Sequence, residues 1–153
     1  MAEPRLSSTA VRVLTHPAVA AAAALLLLND HVLKARWSGP ATGIASDVAG
    51  LALAPELVAT MIGVIGGHPV GWRSVVVVAG VIALAFAAVE LVPTADALYE
   101  SGLGVIGRPV RAVAGGGGLD VVATSDPADL LALPAVALVP YLWRRYSMPW
   151  STA

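Results

Sequence analysis

Cysteine is absent from the 153 residues, which excludes disulfides, thiolate catalysis and cysteine-ligated metal. Charge is scarce as well: Asp, Glu, Lys and Arg make up 12% of the chain, against 58% for hydrophobic types. A soluble domain carries about a quarter charged residues, so these side chains are too few to solvate the chain. The formal net charge of −1 offers no basic face, and nucleic acid is not an expected partner. Lysine occurs once, as Lys34, among nine basic residues. The excess of Arg, Ala, Val and Gly reads as GC-rich codon usage of a bacterial kind. No H-x₃-H or E-x-x-H pair exists, so a zinc site of the usual kind is not expected, and no G-x-S-x-G nucleophile elbow occurs.

Long apolar runs are what the chain has instead. Four segments are expected to span a membrane as helices: about 11–28, 42–65, 74–92 and 128–145. Each approaches the ~20 residues that cover a ~30 Å hydrocarbon core, and each is too long for a strand. The second and third have no broad polar face to turn towards water. Trp37, Trp72, Tyr141, Trp143 and Tyr146 fall near the expected ends, as an interfacial aromatic belt requires. The first run has a basic flank but ends in Asn29-Asp30-His31 without a small-x-small cleavage site, so it reads as an uncleaved signal-anchor. Between the third and fourth spans, residues 93–125 place Leu103, Ile106, Val110 and Val113 on one stripe. That pattern predicts a short interfacial helix, followed by a hinge at Gly115–Gly118. The expected fold is thus all-α: a single-domain integral membrane bundle of four transmembrane helices with an interfacial helix before the last span.

Threading four spans sorts the charges. One side receives both termini with Arg5, Arg12, Arg73, Arg144 and Arg145, and Glu3 as its only acid. The other receives Asp30, Glu90, Asp96, Glu100, Asp120, Asp126 and Asp129, with Lys34, Arg36, Arg108 and Arg111. Five bases against four is a weak positive-inside bias that puts the termini in the cytoplasm.

Within the second span Gly43, Asp47, Gly50 and Ala54 share a helical face, so Asp47 is expected to face the bundle interior. Ser46, Gly50 and Ala54 form a small-xxx-small row that would permit close helix approach. Glu90 should point inward from the third span beside Ala83 and Ala87. Intramembrane acids usually pair with a base, a cation or water, and Lys34 and Arg36 are the nearest bases. The candidate polar pocket therefore comprises Asp30, Lys34, Arg36, Asp47, Glu90, Asp126 and Asp129. Capping also accounts for part of it, since Asp126, Pro127 and Asp129 sit at the N-cap, N1 and N3 of a helix start. Glu56 follows Pro55 and leaves two options: a kinked, water-reached pocket, or the opening of a second helix.

Two motifs mislead. "GLGVIG" at 102–107 fits G-x-G-x-x-G, but no strand or βαβ unit surrounds it. "ARWSGPATGIASD" at 35–47 is similar to the core of the CDP-alcohol phosphotransferases, yet His31-Val32 and Leu51 stand where that family needs acids. A third pattern carries more of the chain: N-D-x-x-L-K … G-x-x-S-D-x-A-G … P from Asn29 to Pro55, then "DPADLLALP" from Asp126. It resembles a group of small, uncharacterised bacterial multi-pass membrane proteins. The resemblance implies the same topology, makes Asp47, Asp126 and Asp129 part of the group's pattern, and brings no activity with it.

The function expected is that of a non-enzymatic inner-membrane accessory or cation-responsive component. The alternative is a membrane-embedded enzyme acting on lipid or polyprenyl phosphate, with acids holding a divalent cation such as Mg²⁺ and Lys34 or Arg36 binding phosphate. An ion or proton transporter subunit is third. The expected partners are the lipid bilayer and other membrane proteins.

Overall fold

Every element in the described part of the chain is helical. The computed structural model describes residues 7–37, 39–91 and 127–147, with no strand among them. The segment 93–125, expected to hold an interfacial helix, lies outside the described residues, as does Asp126.

The chain enters through α1 (Ser8–Leu14), whose first turn is capped by Ser7: its Oγ accepts from the Ala10 N–H at 3.1 Å. The run expected to cross from Val11 to Leu28 does not form one helix. Proline has no N–H, and its ring collides with the carbonyl four residues back, so α1 ends before Pro17. The residue before a proline is pushed to extended backbone, and His16 has φ −68° and ψ 135°. Its Nδ1 then accepts from the Ala18 N–H at 3.1 Å, and α2 (Pro17–Leu28) starts with proline at its first position.

Past Leu28 the helix does not stop at the polar residues. It continues through a π-helical turn, Asn29–Leu33, into α3 (Lys34–Arg36). The candidate span is therefore Pro17–Arg36, with Asn29 and Asp30 inside it. After Trp37 the chain turns into α4 (Pro40–Gly66), 27 residues long. Thr42 closes its start, with Oγ1 accepting from the Gly39 N–H at 3.1 Å and donating to the Gly39 carbonyl at 2.8 Å. Its end is set by Gly67, whose φ of 65° is the left-handed conformation in which glycine terminates helices. Pro55 lies inside α4, which runs through it, so Pro55-Glu56 does not open a second helix.

α5 (Trp72–Leu91) returns as a 20-residue helix. The last described segment is a 3-10 helix, Pro127–Ala137, that passes into α6 (Leu138–Ser147). Pro134 and Pro140 each remove a backbone donor, and the segment is not the single regular α-helix expected over 128–145.

Among the described residues, three helices are long and apolar enough to cross a membrane: Pro17–Arg36, Pro40–Gly66 and Trp72–Leu91. α4 is the central one, packed against α2, α5 and the 3-10 helix, while α6 lies against α5 and α1. The core holds Val13, Val19, Leu53, Ala59, Val75, Val139 and Leu142. Leu27, Leu57, Val77 and Leu84 remain exposed, which suits a hydrocarbon surround better than water. At one end Arg12 lies 4.9 Å from the Tyr146 ring centroid, so α1 and the end of α6 share a side. The chain's alternation places Asp30, Pro40, Leu91 and Pro127 at the opposite end.

Candidate functional site

At the Asp30 end, the π turn controls which side chains meet. A π turn inserts an extra residue into the helical repeat, and here consecutive residues both reach Ser46 on α4. Asn29, fully buried, donates from Nδ2 to the Thr42 carbonyl and to Ser46 Oγ, each at 2.7 Å. The Ser46 hydroxyl donates in turn to Asp30 Oδ1 at 2.9 Å. Lys34 Nζ lies 2.8 Å from the same Asp30 oxygen, one turn along, with both side chains 43% exposed. Asp30 and Lys34 thus neutralise each other locally, while Asn29 and Asp30 tie this helix to α4 through Thr42 and Ser46. Asn29 Oδ1 is buried with no hydrogen-bond partner among the described residues.

Beside this network is a cavity of about 460 Å³ between α4, α5 and the 3-10 helix. Such a volume lies within the usual range of small-molecule sites. Its polar residues are Lys34, Ser46, Asp47, Glu90 and Asp129. Its other wall is apolar, formed by Leu51 of α4 and by Ile82, Phe86 and Val89 of α5. The Asp47 carboxylate is within electrostatic range of Asp129, Glu90 and Lys34. Seven residues into α4, Asp47 sits about 10 Å along the helix from Pro40.

Of the sequence-predicted residues, the cavity brings together Lys34, Asp47, Glu90 and Asp129, contributed by four different elements. Asp30 does not line it but holds Lys34 at its edge. Arg36 is exposed at the end of α3 and is not among the lining residues. Among the described residues no three His, Asp or Glu side chains approach closely enough to hold a metal ion. The small residues play a different part from the one expected. A methyl group at Gly50 would meet nothing within 4 Å among the described residues, so Gly50 does not mark a close helix approach; Gly43, on the Asp47 face, lines the cavity.

A second polar centre surrounds Glu56, whose partner on α6 the sequence reading did not name. Glu56 is fully buried, accepting from the Thr60 hydroxyl at 3.2 Å and from Trp143 Nε1 at 2.5 Å. Trp143 is therefore not an interfacial belt residue; only 2% of it is exposed. An acid inside an apolar run demands a donor, which was a signal in the sequence. The identity of the donor was not, because it comes from another helix. Compared with known protein families, curated proteins and solved structures, the chain matches none.

Proposed function

We propose that the protein is a small, non-enzymatic accessory component of a bacterial inner membrane, with four spans, whose cavity takes up a cation-bearing ligand. The observation that carries this reading is the cavity's lining. Asp47, Glu90, Asp129 and Lys34 form its polar end, against the apolar wall of Leu51 and Phe86. An organic ammonium suits this arrangement: its charge lies among the carboxylates and its apolar part along Leu51 and Phe86. Specificity then comes from charge placement and affinity from the apolar wall, the usual division in small-molecule sites.

The fourth span is the 3-10 helix with α6. Eleven residues at ~2.0 Å each and ten at ~1.5 Å reach about 37 Å, enough for a ~30 Å hydrocarbon core. Arg12, Arg144 and Arg145 then face the cytoplasm and the cavity faces outward.

Purified protein in nanodiscs tests the reading. A medium-chain alkylamine should raise the melting temperature saturably, and Asp47→Asn should remove that shift. A different reading, an enzyme acting on lipid or polyprenyl phosphate, draws on Lys34 beside an apolar wall. Mg²⁺-dependent turnover of a lipid phosphate by the same preparation would replace the first reading with the second.

A further inference from the structure

Glu56 has no part in that cavity. It lies nine residues from Asp47, roughly 180° round α4, and about 15 Å along the helix from the Gly66 end. That places it deep within the candidate span. Ionisable groups at such depth are costly and mark ion or proton sites. A hydrogen-bonded tether between α4 and α6 needs only an acceptor, and glutamine would supply one. An acid supplies something more, a group that can exchange a proton.

The surroundings offer one route for that exchange. Both donors to the carboxyl, Thr60 and Trp143, also line a recess of about 20 Å³ on the Arg12 side, room for roughly one water. Its remaining walls include Ser7, Ala10, Gly63 and His68, the last exposed at the surface. We propose that Glu56 is a proton-binding site within the membrane, loaded from the Arg12 side through this recess by way of the Thr60 hydroxyl, and that Trp143 senses its state. The step balances simply. A hydronium in the recess gives a proton to Thr60 Oγ1, whose own hydrogen passes to Glu56 Oε1; release reverses the sequence. The indole N–H stays bonded to Oε2, but its acceptor changes from a carboxylate to a neutral acid, which weakens a charge-assisted bond.

No charged side chain among the described residues acts on this carboxyl; its polar partners are Trp143 from α6 and Thr60 from α4 itself. α1 presents the apolar Ala10 to the recess, and the turn after α4 presents His68, the one titratable group lining it among the described residues. Arg12, His16 and Tyr146 group with one another at the end of the bundle. Asp47, Glu90, Asp129 and Lys34 belong to the cavity on the opposite face of α4.

The experiment uses a Trp37→Phe, Trp72→Phe, Trp150→Phe background, which leaves Trp143 as the sole fluorophore, in membrane vesicles of each orientation. Trp143 emission should follow the pH on the Arg12 side alone and titrate as one proton. A carboxylic-acid C=O infrared band should rise and fall with it. Glu56→Gln should abolish both signals. Thr60→Val should keep the equilibrium titration but slow the response to a pH jump by about a hundredfold. Should Glu56→Gln fail to fold, the sidedness and the Thr60→Val kinetics decide alone. A titration that persists in Glu56→Gln, follows the opposite side, or is as fast in Thr60→Val overturns the proposal. So does the absence of any Trp143 response over the pH range in which the protein stays folded.

Discussion

The indole of Trp143 donates a 2.5 Å hydrogen bond to Glu56 across 87 positions of sequence. Both side chains are buried, so the bond fixes where α6 sits against α4. In hydrocarbon an unsatisfied polar group has no water to turn to, and moving α6 off this contact would leave the indole N–H unpaired and the carboxyl with Thr60 alone. A polar pair of this kind sets register where apolar packing by itself is permissive.

Removing the donor should therefore cost more than neutralising the acceptor. Trp143→Phe leaves a buried carboxyl short of a partner and should lower stability by about 1–3 kcal/mol. Glu56→Gln keeps an acceptor for the indole and should cost less. Denaturation of both variants in mixed micelles checks this, and equal losses would mean that the bond does not set the docking of α6.

Asn29 ties α2 to α4 through two 2.7 Å bonds from a fully buried amide. Asn29→Ala should destabilise the fold by about 1–3 kcal/mol. Lys34→Ala should change stability by less than about 1 kcal/mol, because the pair with Asp30 is solvent-screened. The same unfolding assay ranks the two, and a larger loss for Lys34→Ala would reverse the assignment of what holds this end together.

Asp47 and Asp30 separate binding from local pairing. Asp47→Asn should weaken alkylamine binding by about 1.5–3 kcal/mol, roughly tenfold to a hundredfold in Kd. Asp30→Asn, outside the cavity lining, should leave affinity nearly unchanged. Calorimetric titration of both variants measures this directly, and equal affinities would remove Asp47 from the site.

Orientation is accessible to reporter fusions. A reporter joined after Arg145 should be active in the cytoplasm, and one placed in the Gly115–Gly118 run should be active outside. A cytoplasmic signal from the glycine run would invert the topology and the side to which the cavity opens.

Part of the candidate site could be read from spacing. Gly43 and Asp47 share a face because the helix repeat is fixed, and Lys34 lies one turn from Asp30 for the same reason. The break at Pro17 went unread, since the run 11–28 was expected to cross as one helix, although a proline's missing N–H was the signal for it. The grouping of Glu90 and Asp129 with Asp47 was expected from threading the spans rather than from spacing, because neither residue is within helical range of Asp47, and which of the candidates line one cavity had to come from packing.

By itself the sequence determined the class of structure: scarce charge and apolar runs of about twenty residues call for membrane-length helices, and helical periodicity is a local property. Among the described residues Asp30, Asp47, Glu90 and Asp129 do gather at one end, as expected of loops sorted by alternating helices, while Glu56 does not. Only the tertiary structure decided which acids line one cavity, that the π turn turns both Asn29 and Asp30 towards Ser46, and that Trp143 leaves the interface to meet Glu56. The physical reason is that a buried polar group must find a partner somewhere, while its own neighbourhood in sequence does not say which helix will bring it. That choice is made by packing, 87 residues away.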